Sequence, residues 1–218
     1  MLKKFTQEKL DEILEVGIKE FAKNGPERAN MSRIAKEAGI SVGVLYKYYK
    51  DKDDFFAACL TRSLSVLEGF LTEVFAEERK PLEYAKMLLE GAAGYAQKNA
   101  DYVRMYHQIT VTGDEKAAVL LADEVERMTS RLYTSVIRKE MEKGAFRQDM
   151  EPELFAFFFD NLMMMMQFSF CCPYYRERYR MYRGKDIHEE EVLLKEQLAR
   201  FLESAFTFAR EDVKHGQT

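Results

Sequence analysis

Apolar residues recur every three or four positions along almost the whole chain, and this spacing predicts an all-α protein. The first helix is predicted from Thr6 to Asn24, and Gly25 and Pro26 are expected to end it. No segment is predicted to be a strand. One face of the first helix carries the apolar residues Leu10, Ile13, Leu14, Gly17, Ile18 and Phe21.

The next stretch predicts two short helices joined by a tight turn. Asn30 is expected to cap the first of them, and Gly39 to break it by taking a positive φ. Ser41 is expected to cap the second, which runs to about Tyr48. Two helices around such a turn form the helix-turn-helix motif, whose second helix reads the major groove of DNA.

The second short helix has an unusual outward face. Helical spacing places Leu45, Tyr48 and Tyr49 toward the inside, and Gly43 and Lys47 toward the outside. A glycine inside a helix costs about 1 kcal/mol relative to alanine. It is therefore explained where the backbone must approach another surface closely, as a recognition helix approaches DNA.

These residues resemble the amino-terminal pattern of the tetracycline-repressor (TetR) family over about the first 60 residues. The matching positions are Ile34-Ala35, Ala38-Gly39-Ile40-Ser41, Gly43-Val44-Leu45-Tyr46-Lys47-Tyr48-Tyr49 and Lys52. Val44 stands where the family usually has threonine, so one hydroxyl that could bind phosphate or a base is absent. Tyr49 replaces the usual phenylalanine. The resemblance implies DNA contacts from Ser41, Val42, Gly43, Tyr46, Lys47, Tyr48 and Lys52, with Lys47 on a base edge and Tyr48 and Lys52 on phosphates.

The rest of the chain predicts a helical body. The expected domains are a helix-turn-helix DNA-binding domain at 1–52, a helical ligand-binding and dimerisation domain at 53–213, and a tail at 214–218. The predicted helices after the motif are Asp51–Glu78, Leu82–Lys98, Ala100–Thr112, Glu115–Lys143, Pro152–Cys171 and Ile187–Val213.

The charge is unevenly distributed along the 218 residues, whose net charge is −4. Residues 1–52 carry 11 Lys and Arg against 8 Asp and Glu, a net +3, which leaves −7 for residues 53–218. A basic head on an acidic body is typical of DNA contact confined to one end. No apolar signal segment follows Met1, and polar residues interrupt the most apolar run, Leu154 to Cys172. The sequence therefore predicts a cytoplasmic protein without a membrane span.

Two sets of body residues are candidates for contacts beyond the core. Apolar side chains with hydroxyl tips in the middle helices are typical of a pocket, but also of ordinary packing. The run Asn161–Phe168 is apolar on nearly every side, and a core helix that also forms a subunit interface is favoured over a dedicated ligand wall, although the two roles can coexist. The ligand-binding candidates are Met87, Tyr95, Tyr102, Met105, Tyr106, Tyr133, Met163 and Met166. The dimer-interface candidates are Phe158, Leu162, Leu198, Phe201 and Phe206.

Two further features of the sequence, a cysteine pair and a segment rich in arginine and tyrosine, are weaker candidates for binding sites. Cys171 and Cys172 are interpreted as buried thiols rather than a metal or oxidant sensor, since no third thiol lies near them in the sequence. The segment Tyr174–Arg183 mixes cations and aromatic rings, and a solvated connector is favoured over a site for nucleic acid or an anionic ligand. No nucleophile–base pair, phosphate-binding loop or metal-ligand spacing is visible, so no enzyme activity, metal or cofactor is predicted.

These patterns together predict a homodimeric, DNA-binding transcriptional regulator. A repressor that a hydrophobic small molecule releases from a palindromic double-stranded DNA operator is the favoured interpretation. The alternative is a ligand-independent DNA-binding protein that organises DNA or recruits another protein.

Overall fold

The computed structural model describes residues 5–77, 79–111, 115, 118, 119 and 122–207, and this part of the chain contains helices and no strands. The all-α prediction is confirmed. A π-helical turn, Ala122–Glu126, and a 3-10 turn, Ile187–Glu189, lie between the main helices. The main helices are α1 (Gln7–Arg28), α2 (Met31–Glu37), α3 (Val42–Tyr48), α4 (Lys52–Phe75), α5 (Pro81–Lys98), α6 (Ala100–Thr110), α7 (Arg127–Glu142), α8 (Pro152–Cys171), α9 (Pro173–Arg183) and α10 (Glu191–Thr207).

Helix α1 begins and kinks where the sequence indicates. The Thr6 side chain caps it by accepting a hydrogen bond from the backbone N–H of Lys9. Gly25 leaves the helical conformation with φ 72°, and Pro26 follows it. The predicted end at Asn24 is therefore a kink, after which one short turn continues to Arg28.

Three other boundaries differ from the prediction. Helix α4 ends at Phe75 rather than Glu78, which lies outside the described residues. Helix α7 begins at Arg127, because a π-helical turn precedes it. The segment predicted as a connector after Cys172 is helix α9, none of whose residues is buried. The predicted turn at 113–114 and the predicted tail at 214–218 lie outside the described residues.

The chain divides into two compact units, each with its own core. Residues up to Thr72 form the first unit together with Tyr95–Glu126, because α6 packs its apolar face on α1. Its core includes Phe21, Leu45 and Met105. In this division α6 and most of α4 group with the helix-turn-helix, whereas the sequence predicts a domain boundary after residue 52.

Residues 73–94 and those from Arg127 onward form the second unit. Aromatic rings fill its core, and Phe206 contacts Phe146, Phe155 and Phe159 with ring centroids 4.3–5.9 Å apart. Helices α4 and α8 are long and apolar enough to cross a membrane by length and composition, a property that core helices of soluble proteins share.

Candidate DNA-binding surface, ligand cavity and interface

Helix α2 is held against α1 by a buried carboxylate. The Oε1 atom of Glu20 accepts hydrogen bonds from the backbone N–H of Asn30 (3.0 Å) and from the guanidinium of Arg33 (3.1 Å). The Asn30 side chain in turn accepts from the backbone N–H groups of Ser32 and Arg33, which confirms the predicted cap. A single carboxylate on α1 thus fixes the point at which the helix-turn-helix begins.

The turn between α2 and α3 is a Schellman motif. Gly39 has φ 70°, and its N–H donates to the carbonyl of Lys36 (3.2 Å) while the N–H of Ile40 donates to Ala35 (2.9 Å). The Oγ of Ser41 then accepts from the backbone N–H of Val44 (3.3 Å), and α3 begins. The predicted glycine turn and serine cap are confirmed, and they set the direction in which α3 leaves α2.

Helix α3 has one buried side chain, and its other residues are exposed or half-buried. Leu45 is fully buried in the core of the first unit. Gly43, Tyr46 and Lys47 are exposed, and a Cβ at Gly43 would meet no atom within 4 Å. Ser41 is exposed as well, and Val42 is half-buried. The surface combines bare backbone, a cation and a phenol, which suits close approach to a DNA groove.

Two residues predicted as phosphate contacts already have protein partners. Helical spacing predicts that Tyr48 points inward, but it is 38% exposed, and its hydroxyl accepts a hydrogen bond from the backbone N–H of Phe5 (2.9 Å). The ammonium of Lys52 donates to the carbonyl of Glu27 (2.8 Å) in the last turn of α1, where the helix dipole favours a cation. Each side chain keeps at least one hydrogen-bond donor for a phosphate oxygen.

The second unit contains a cavity of about 40 Å³ whose described lining side chains are apolar or aromatic, and none is charged. The ring of Phe75, the last residue of α4, lies 5.6 Å from the ring of Tyr84 and 6.4 Å from that of Tyr133. The Tyr84 hydroxyl donates to the carbonyl of Glu77 (2.9 Å) and accepts from the N–H of Arg79 (3.1 Å), and neither partner lines the cavity. The lining residues are Phe75, Tyr84, Ala85, Leu88, Tyr133, Val136, Ile137, Phe146, Phe159 and Phe206.

The predicted ligand-binding residues do not gather at this cavity. Tyr133 lines it, whereas half-buried Met87 and buried Met163 and Met166 lie elsewhere in the second unit. Tyr95, Tyr102, Met105 and Tyr106 belong to the first unit, and their role in ligand binding stays a prediction.

The hydroxyl tips of the first-unit tyrosines make structural hydrogen bonds. The Tyr102 hydroxyl donates to the carboxylate of Glu15 on α1, and burial followed by this bond raises the pKa of Tyr102 to about 12. The Tyr95 hydroxyl donates to the carbonyl of Ser63 (3.3 Å), and burial raises its pKa as well. Both phenols therefore remain protonated at neutral pH. Helical spacing could not distinguish these contacts from a ligand pocket.

Helices α8 and α10 present apolar side chains that this chain leaves uncovered. Among the predicted interface residues, Phe158 and Phe201 are 49% and 59% exposed, Leu162 is exposed and Leu198 is half-buried. Phe206 differs from the other four, because it is 7% exposed and lines the cavity. Further exposed apolar residues on the same two helices are Leu154, Phe157, Met165, Val192 and Leu193.

The remaining candidates have structural partners. Arg176 and Arg180 on α9 both pair with Asp186, which lowers the pKa of this carboxyl to about 2. Arg180 also pairs with Glu177, and Arg183 pairs with Glu190, so three of the four arginines of α9 have carboxylate partners within the chain. Cys59, Cys171 and Cys172 are buried cysteines. Within the described residues, no group of three or more His, Cys, Asp or Glu side chains could hold a metal ion.

Residues 13–59 match the family model described as bacterial regulatory proteins, TetR family. The chain is 30% identical over 106 residues to a nucleoid occlusion factor, SlmA, from Actinobacillus pleuropneumoniae, covering 48% of this chain and 52% of that one. It is 38% identical over 65 residues to a helix-turn-helix transcriptional regulator from Staphylococcus aureus, covering 30% and 35%. The chain thus spans about half the length, or less, of these curated relatives.

Solved structures share the fold over nearly the whole chain. One described as a fatty acid metabolism regulator from Clostridium perfringens has a TM-score of 0.72 at 18% identity and covers 89% of this chain and 97% of its own. The regulator FadR from Bacillus subtilis, in complex with stearoyl-CoA, has a TM-score of 0.68 at 15% identity, covering 89% and 97%. AibR, in complex with isovaleryl coenzyme A and operator DNA, has a TM-score of 0.63 at 16% identity, covering 90% and 96%. The helix-turn-helix of this chain therefore matches the TetR family of bacterial regulatory proteins, and the all-α fold of the whole chain is shared with these solved regulators.

Proposed function

We propose that this protein is a homodimeric transcriptional repressor that binds double-stranded operator DNA and is released by a hydrophobic small molecule. The exposed face of α3 carries the proposal, because Gly43, Tyr46 and Lys47 lie on it and it falls within the family-matched residues. The proposed function is binding and release of DNA, without catalysis of a reaction.

Lys47 is assigned to a base edge in the major groove. It lies near the end of α3, is exposed, and extends from the same helix as the bare backbone at Gly43. A cation can donate to the acceptors of guanine, whereas contacts to phosphate position a helix without reading sequence. Two copies of α3 in a dimer would then read two related half-sites.

Lys47→Ala is expected to relax base preference at one or two positions in each half-site, by about 1–3 kcal/mol for each base pair that the lysine reads. Lys50→Ala removes the same charge from an exposed neighbour and is the matched control; it should weaken all sequences alike. Binding to a library of randomised half-sites measures both effects. Equal losses on every sequence for the two variants would contradict the assignment of Lys47.

The cavity in the second unit is proposed to hold the hydrocarbon or aromatic part of the effector. Its described lining has no charge, so an ionic group would lose its hydration there without a compensating partner. The names of two structural neighbours, complexes with stearoyl-CoA and isovaleryl coenzyme A, support an acyl thioester. In such a ligand the acyl chain would occupy the cavity and the charged coenzyme would remain outside. At about 40 Å³ the cavity must widen to accept more than a few carbon atoms.

Helix α4 provides a covalent route from ligand to DNA. Its last residue, Phe75, lines the cavity, and its first, Lys52, is bonded to the end of α1. A ligand that displaces the ring of Phe75 therefore acts on a helix that is continuous with the helix-turn-helix unit. A hundredfold preference for the released state would shift the equilibrium by about 2.7 kcal/mol.

Ala85→Leu is expected to fill the cavity and to remove the rise in melting temperature that an acyl-CoA produces, while operator binding without ligand persists. Ala92→Leu is the matched control, because Ala92 is buried on the same helix but does not line the cavity. Thermal unfolding with isovaleryl-CoA, stearoyl-CoA and coenzyme A alone measures the effect. If Ala85→Leu keeps the full ligand response, the effector binds elsewhere.

A DNA-organising role is the second candidate, and the 30% identity to a nucleoid occlusion factor favours it. Mapping the bound DNA in cells separates the two. A repressor should occupy a few sites near promoters and lose them when the effector accumulates. A DNA-organising protein should occupy many dispersed sites whatever the metabolites present.

A further inference from the structure

The last residue of α3, Tyr48, is in contact with Phe5, which precedes α1. The rings of Phe5 and Tyr48 stack with centroids 5.0 Å apart and planes inclined by 14°. The backbone N–H of Phe5 donates to the Tyr48 hydroxyl at 2.9 Å. The two contacts therefore restrain both the ring plane and the hydroxyl of a side chain that is 38% exposed on the helix proposed to enter DNA.

Phe5 is itself attached to the core of the first unit. Its side chain is half-buried and packs against the core cluster that includes Phe21 and Leu45. The next residue, Thr6, caps α1 with its side chain, so a helix terminus fixes the backbone on the carboxyl side of Phe5. Phe5 therefore connects an exposed tyrosine of α3 to a packed core, in addition to the anchor that Leu45 provides.

The Tyr48 hydroxyl keeps its own proton for a further hydrogen bond. A phenol hydroxyl has one proton to donate and lone pairs with which to accept. The N–H of Phe5 occupies a lone pair, and among the described residues no acceptor receives the hydroxyl proton. Accepting a hydrogen bond polarises the O–H group and makes it a stronger donor. An ionised oxygen suits such a donor best, because charge-assisted hydrogen bonds are the stronger ones.

We propose that Phe5 is a positioning residue for DNA binding, which holds Tyr48 so that the Tyr48 hydroxyl donates its proton to one backbone phosphate in each half-site. The proposal rests on the DNA-binding function above and deepens it, since Phe5 lies outside the residues 13–59 that match the family model. A freely rotating tyrosine would lose its freedom on binding, at a cost in affinity. Stacking on Phe5 restricts the ring before DNA binds. Because the contact is to phosphate, it raises affinity without reading sequence.

The test is a double-mutant cycle of the full-length chain, measured on a palindromic duplex that the wild-type protein selects from randomised half-sites. Tyr48→Phe keeps the ring and removes the hydroxyl, and it should weaken binding by about tenfold or more per head. Phe5→Ala should weaken binding by about two- to tenfold per head, which is the cost of ordering one side chain. In the Tyr48→Phe protein the same Phe5→Ala change should cost less than about twofold, because no hydroxyl remains to be positioned.

Single methylphosphonate substitutions along the duplex locate the contact, because each removes the charge of one phosphate. One position in each half-site should weaken wild-type binding and leave Tyr48→Phe binding nearly unchanged. Phe5→Tyr keeps a stacking ring and should restore the wild-type affinity. Tyr174→Ala is the control for the loss of an exposed ring: Tyr174 is 69% exposed and pairs with the ring of Tyr175 on α9, and the variant should bind DNA like wild type.

Thermal unfolding shows whether each variant is folded. If Phe5→Ala lowers the melting temperature, Phe5→Leu takes its place in the cycle, since leucine keeps apolar bulk without an aromatic face. An unaltered affinity after loss of the Phe5 ring, or an equal loss in the wild-type and Tyr48→Phe backgrounds, would overturn the proposal. A loss that Phe5→Tyr does not restore would overturn it as well. Absence of any DNA binding by the wild type would instead refute the proposed function itself.

Discussion

Replacing Phe206 with alanine is expected to lower the free energy of unfolding by about 3–5 kcal/mol. The ring is 7% exposed and stacks closely on Phe155, with centroids 4.3 Å apart, and on Phe146 at 4.6 Å. It also lines the cavity, so its removal enlarges a void that is already present instead of letting the core collapse. Denaturant unfolding followed by circular dichroism measures the change.

Met181→Ala is the control for this substitution. Met181 is 74% exposed on α9, and its truncation should change stability by less than about 0.5 kcal/mol. A Phe206→Ala protein that unfolds like wild type but dissociates into monomers would restore the interface role predicted from the sequence. Loss of stability with the association unchanged would assign Phe206 to the core.

The burial of Phe206 shows what helical spacing can decide and what it cannot. Residues 198, 201, 202 and 206 recur at helical spacing and form one apolar stripe along α10. The stripe shows which face of α10 packs against other side chains. It does not show whether those side chains belong to this chain or to a second copy. In the structure Leu202 and Phe206 are covered by this chain, whereas Phe201 is exposed. The division of one stripe between core and interface depends on how far each neighbouring helix extends.

The boundaries of the helix-turn-helix could be predicted from the sequence. They depend on signals that act within a few residues, namely the caps Asn30 and Ser41 and the positive φ of Gly39. The position of α6 depends on contacts such as Tyr102 to Glu15, 87 residues apart. A single sequence does not show which distant residues contact each other. Helical spacing alone therefore assigns the tyrosines of α6 to a pocket.

Phe201→Arg is expected to convert the proposed dimer into folded monomers and to weaken operator binding by about a hundredfold or more. Phe201 is 59% exposed on α10, and exposed apolar residues also lie on α8. Exposed apolar patches mark subunit interfaces. A symmetric interface would bring the new cation and its symmetry mate into the same desolvated surface, and burying charge there is costly. Two linked heads bind two half-sites with an effective concentration that a single head lacks, and this advantage reaches about 10²–10⁴.

Sedimentation velocity and operator binding distinguish the outcomes for Phe201→Arg, with Phe158→Arg on α8 as an independent probe of the same surface. Met181→Arg adds the same charge at a more exposed apolar residue on α9, and should leave both mass and affinity unchanged. Retention of the wild-type helical content would show that the Phe201→Arg monomers are folded. If both arginine variants remain dimeric, the second copy binds through another surface, and the exposed apolar residues of α8 and α10 must be covered by a different partner.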